Sequence, residues 1–107
     1  MRPLVPLMIA AAAPAGALDC RIEAHPSGFG TELRAVAYSA ADAHAQWRFE
    51  VDRVSLAGRS SNSQGGQGLL RAGEEMVVGR VALGGTGRTD ARLTVTVAGE
   101  QASCRLP

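Results

Sequence analysis

The stretch 60–83, SSNSQGGQGLLRAGEEMVVGRVAL, decides the fold. Ser60, Asn62, Ser63, Gln64 and Gln67 carry short hydroxyl or amide side chains, and Gly65, Gly66 and Gly68 carry none. A segment of this kind suits a sheet edge or a tight bend whose backbone is closely approached. Leu69 and Leu70 then restart burial. Ala72-Gly73-Glu74-Glu75 reads as a hairpin turn, with Gly73 free to take positive φ and two solvated carboxylates at the tip. Met76 to Leu83 follows as a strand of β-branched and long apolar residues, interrupted only by Gly79 and Arg80.

Working outward, the same two-residue period recurs on both sides. Trp47, Phe49 and Val51 alternate with Gln46, Arg48, Glu50 and Asp52, the pattern of an antiparallel strand with one wet face. Past Asp52 the period slips, because Val54 and Leu56 fall out of phase with Val51, so a bulge or bend is expected near Asp52-Arg53. Gly58 to Gly68 is expected to form an edge segment. Upstream, Leu33, Ala35 and Ala37 face away from Arg34, Val36 and Tyr38, and Ser39-Ala40-Ala41-Asp42 ends that strand as a turn. Cys20, Ile22 and Ala24 alternate with Arg21 and Glu23 in a short first strand that His25-Pro26-Ser27-Gly28-Phe29-Gly30 is expected to break. Downstream, 84–88 is a glycine loop, and Ala91, Leu93, Val95 and Val97 alternate with Arg92, Thr94 and Thr96. Ala98-Gly99-Glu100 turns the chain into a last strand with Ala102, Cys104 and Leu106 on one face. About seven short strands with turn signals near every ten residues predict an all-β fold, a single immunoglobulin-like antiparallel β-sandwich.

The first 17 of the 107 residues read as an export signal. Arg2 is a minimal charged region, Leu4 to Ala15 is apolar, and Ala15-Gly16-Ala17 places small residues where a signal peptidase cuts. The apolar run is shorter than the ~20 residues a membrane-spanning helix needs and contains prolines. Asp19 before Cys20 makes a poor lipoprotein signal. The folded domain is therefore expected over 18–107, in the periplasm and without membrane insertion. Loss of Arg2 leaves ten arginines against ten acids, and the chain has no lysine. A balanced charge argues against nucleic acid and against electrostatic binding to a membrane surface. In an exported chain, Cys20 and Cys104 read as a disulfide joining the two ends of the domain, and chain entropy assigns such a closure roughly 4.6 kcal/mol.

Catalytic groups are sparse. His25, placed in a turn, and His44, placed in a polar loop, are isolated from each other and from acidic clusters, which makes no metal site. Glu50/Asp52 and Glu74/Glu75 lack the apolar pocket that would separate their pKa values. The 84–87 glycines precede no helix that could hold a phosphate. Neither an enzyme nor a cofactor is expected.

The elements Ser63 to Gly66, Ala72 to Glu74, Val77 to Leu83 and Leu93 to Val97, with the pair Cys20 and Cys104, resemble the CsgH-like family of alphaproteobacterial curli-system amyloid inhibitors. That resemblance implies a periplasmic chaperone that keeps the unfolded curli major subunit from forming fibres prematurely. Related enterobacterial inhibitors carry C-x-C; the cysteines here lie 84 positions apart, so no redox role carries over and inhibition would be non-covalent. Amyloid grows by backbone pairing at strand edges, and a soluble domain with a charged sheet face can engage a client without templating it. The candidate client-binding residues are Gln46, Arg48, Glu50, Arg92 and Thr94, with Asp52 and Thr96 beside them, and the domain is expected to act as a monomer. The alternative is an immunoglobulin-like binding or structural module of the cell envelope, serving a polysaccharide, an adhesin or a pilus.

Overall fold

The computed structural model describes residues 17–28 and 30–106. The expected signal segment lies, but for Ala17, outside the described residues. Seven strands follow in order: β1 (Leu18–Ser27), β2 (Gly30–Ser39), β3 (Ala43–Ser55), β4 (Gly58–Leu70), β5 (Glu75–Gly84), β6 (Arg88–Val97) and β7 (Glu100–Arg105). They form two antiparallel sheets, one ordered β1-β2-β5 and the other β4-β3-β6-β7. This two-sheet order fits the all-β sandwich expected and is compatible with an immunoglobulin-like arrangement.

The core lies where the alternation placed it. Leu33, Ala35 and Ala37 of β2 meet Ala45, Phe49 and Val51 of β3 and Ala91, Leu93 and Val95 of β6, with Ile22 and Leu70 closing the layer. Phe49 is fully buried and sits opposite Leu93 on one neighbour and Gln64 on the other. Burying a ring of that size stabilises the fold by about 1.5–3 kcal/mol. The alanines of β2 let the sheets approach closely, so the small domain is packed by a few large side chains against many small ones.

Several local expectations are corrected. β3 pairs without a register shift through Asp52 and Arg53, so no bulge lies there; Val54 faces solvent on the wet side. The bulge lies on β5 instead. Ala35 pairs with Gly79 but Val36 pairs with Val77, which leaves Val78 outside the ladder and turned against the core. β1 does not break at His25-Pro26 but pairs on to Ser27, because it is an edge strand, where the missing proline N–H is tolerated. His25 and His44 accordingly sit in β1 and β3 rather than in loops. Residues 71–74 are no hairpin turn either. Gly73 does take positive φ, at 75°, but the turn carries the chain from β4 in one sheet to β5 in the other. Glu75 is not loose at its tip; it opens β5 and is bound by Arg21.

The crossing from β2 to β3 is tied to that turn. The Ala72 N–H donates to Asp42 Oδ1 at 2.8 Å, and the Gly73 N–H donates to the Ser39 carbonyl at 2.9 Å. Ser39 is buried, and its hydroxyl is spent on the Ala41 carbonyl at 2.6 Å. Backbone polar groups at a buried corner need such partners. On the far side, β1 lies against β7, and the Cys20–Cys104 disulfide joins them with their Cα atoms 6.0 Å apart.

Candidate functional site

The β3–β6 register collects the candidate residues on one surface, the outer face of the four-stranded sheet. Arg48 stands opposite Thr94, Glu50 opposite Arg92, and Gln46 opposite Thr96. All three β3 residues point outward for the same reason that Trp47, Phe49 and Val51 point inward: successive side chains of a strand alternate. β4 adds Ser61, Ser63 and Gln67 opposite Asp52, Glu50 and Gln46. Its Gly65, opposite Arg48, adds no side chain at all. A shallow depression of about 520 Å³ results, walled by Gln46, Arg48, Gln67, Thr94 and Thr96.

β7 completes the face with Gln101, Ser103 and Arg105, opposite Thr96, Thr94 and Arg92. These three were not among the sequence candidates. The alternation of β7 did assign them outward; what the sequence could not supply was the pairing of β7 to β6, which sets them beside Arg92 and Thr94.

Charge on this face is mixed and loosely engaged. Glu50 lies 3.9 Å from both the Arg48 and the Arg92 guanidinium, and Arg105 lies 3.6 Å from Asp90. Those separations exceed the range of a charge-assisted hydrogen bond. The Arg48 side chain is 66 % exposed, and beyond the loose approach of Glu50 it donates to the Ser63 hydroxyl at 3.5 Å. Its planar donor fork is therefore open to an incoming carboxylate or amide.

The opposite sheet is different. There Arg21 holds Glu75 through both terminal guanidinium nitrogens, Nη1 and Nη2, and Glu23 at 2.6 Å, Glu23 also meets His25 at 2.8 Å, and Arg34 holds Glu32 at 2.5 Å. The bound carboxylates hold the Arg21 guanidinium well above its ordinary pKa, Glu75 first and Glu23 next. Glu75 in turn is pushed below the usual carboxylate range by Arg21, and Glu32 by Arg34. Ion pairing on that sheet is internal. Among the described residues no three His, Cys, Asp or Glu side chains gather as metal ligands would.

Trp47 points between the sheets and lies over the glycines of β4. A Cβ on Gly66 would come within 2.8 Å of the indole Nε1, and one on Gly68 within 3.3 Å of Cη2. Residues 63–68 thus serve two surfaces at once: the inward Gly66 and Gly68 seat the tryptophan, and the outward Gly65 puts no side chain beside Arg48.

Fold and surface together define a small antiparallel β-sandwich with a covalent tie between its first and last strands and one polar, charge-mixed sheet face. The chain belongs to the CsgH family: the family model described as CsgH protein matches residues 19–107. Among solved structures it is similar to the solution structure of R. palustris CsgH, with 30% identity and a TM-score of 0.73 over 83% of this chain and 90% of that one. It also shares its fold with the E. coli curli protein CsgC, at 14% identity and a TM-score of 0.76 over 84% of this chain and 98% of that one. No curated protein sequence matches it.

Proposed function

We propose that this protein is an exported, curli-associated chaperone that delays fibre formation by the unfolded curli major subunit through transient, non-covalent contacts on the outer face of its four-stranded sheet. Family membership supports the curli association, and a disulfide between the terminal strands accords with an oxidising compartment such as the periplasm. The observation that carries the choice of face is the contrast between the sheets. Arg48, Arg92 and Arg105 stand 3.6–3.9 Å from their acids, whereas Arg21 and Arg34 of the three-stranded sheet are closed onto theirs. A weakly engaged guanidinium gives up little to meet a partner's carboxylate or amide, so contact there is fast to form and fast to break.

The test is dye-monitored assembly of a purified curli major subunit with the domain from Leu18 added well below one to one. A long lag at low ratio is the expected outcome. The Arg48→Ala/Arg92→Ala variant should shorten that lag severalfold while unfolding within about 0.5 kcal/mol of the parent, as exposed substitutions do. A lag unchanged in the double variant removes this face from the mechanism. No lag from the folded parent at equal concentration removes the chaperone itself.

A further inference from the structure

A sandwich of two open sheets has four edge strands, and in this one the edges meet in pairs: β1 against β7, where the disulfide lies, and β5 against β4. The second pair has no covalent tie. Its closest polar link comes from one side chain. Gln64 of β4 points inward beside Phe49 and reaches across to β5, where its Nε2 donates to the Arg80 carbonyl at 2.7 Å and its Oε1 accepts the Arg80 N–H at 3.2 Å.

That is the pair of bonds one residue of an added antiparallel strand would make. Arg80 stands opposite Arg34 of β2, but its backbone N–H and C=O point to the free side of β5, where both are engaged by a primary amide standing in for a peptide group. Gly79 makes room for this, since a Cβ there would come within 3.0 Å of Gln64 Oε1 and 2.8 Å of the Phe49 ring. Gln64 Nε2 is steadied by Asn62 Oδ1 at 3.2 Å. Toward the β4–β5 turn the same two edge strands carry Leu69, Met76 and Val77, three of the exposed large apolar residues, and Leu69 and Met76 line one depression where the chain leaves β4 and enters β5. An edge with unpaired backbone and exposed apolar side chains is the kind that recruits further strands.

We propose that Gln64 is a strand surrogate that closes β5 against edge-to-edge pairing, above all with a second copy of this chain. The inference rests on the Gln64–Arg80 hydrogen bonds and holds whichever partner the outer face of the four-stranded sheet takes. Gln64→Met keeps the bulk beside Phe49 but can neither donate to nor accept from Arg80 as an amide does, and its consequences are read without any client present. Amide hydrogen exchange at Arg80 should quicken by roughly tenfold, the factor a single hydrogen bond carries, with the β2–β5 ladder amides unchanged. Sedimentation velocity should show a concentration-dependent dimer absent from the parent. Faster exchange without association would overturn the closing role, and unchanged exchange would overturn the hydrogen bond as its basis. Gln64→Ala takes the place of the methionine variant if that chain does not fold; failure of both would make Gln64 a folding determinant and overturn the proposal.

Discussion

A methyl group at Gly66 and one at Gly65 should have opposite consequences, although the two glycines are neighbours in the same edge strand. At Gly66 the new carbon would sit 2.8–3.1 Å from the Nε1, Cε2 and Cζ2 atoms of Trp47, so the indole must move. Overpacking of this kind costs about 1–3 kcal/mol. At Gly65 the nearest atom is the Trp47 carbonyl oxygen at 3.6 Å, an ordinary contact, and the loss of glycine's freedom in the unfolded chain should leave stability unchanged or up to about 1 kcal/mol higher. Urea unfolding followed by the emission of the single tryptophan separates the two. Gly66→Ala should lower the midpoint and redden the folded emission, and Gly65→Ala should do neither. Equal midpoints would mean that the indole is not seated on β4. At this scale the sequence was legible only in part. The pattern of glycines announced a closely approached backbone, but not that Trp47 was the group approaching, because that contact depends on the β3–β4 register. The role of Gln64 was not legible at all, since its partner Arg80 is 16 positions away on the other sheet.

At the scale of elements, period-two alternation located β2, β3, β6 and β7; in β3, β6 and β7 it separates an apolar face from a wetter one, whereas in β2 Val36 is buried on the second face as well. It failed where local pattern does not determine partner. Val54 looked like a shifted core residue and is an exposed one; Val77 and Val78 looked like a regular run and contain the bulge. The turn before β5 has hairpin chemistry, yet turn chemistry does not say whether the next strand stays in the same sheet. The three-stranded sheet also carries an acid-sensitive set of carboxylates, two paired within their own strand and one, Glu75 of β5, paired to Arg21 of β1. Glu75 is held below the usual carboxylate range by Arg21, Glu23 by His25 and then Arg21, and Glu32 by Arg34. A carboxylate with a depressed folded pKa contributes stability that is complete above its unfolded value, about 4.3, and is lost as pH falls through the folded one. Stability should therefore decline below about pH 4.3. Glu75→Gln, which never has the ion pair, should be less stable than the parent at pH 7 and converge on it in acid. Urea midpoints at both pH values check this, and a constant gap between the two proteins would remove Glu75 from the acid response.

For the whole molecule, the question is what keeps two sheets in one relation when each shares only a modest core. The crossings fix one end through Asp42 and Ser39, Gln64 bridges β4 to β5, and Cys20–Cys104 joins β1 to β7 across 84 positions of chain. Only the last is covalent, and a domain this small buries a limited fraction of its surface, so a cross-link weighs heavily in its stability. Cys104→Ser should lower unfolding free energy by about 2–4 kcal/mol, somewhat under the chain-entropy figure because unfolded chains retain structure. The urea midpoint should fall while the denaturant slope rises, since the unlinked chain exposes more surface when unfolded. The proposed contact face is built by β3 and β6, which hold their register through the Phe49–Leu93 core rather than through the sulfurs, so on that proposal the fraction of Cys104→Ser that remains folded should still delay fibre formation. Reduction of the parent should reproduce both results without any substitution. A folded variant that has lost its delay would instead tie the contact to the disulfide side of the sandwich, where Arg105, the neighbour of Cys104, stands opposite Arg92.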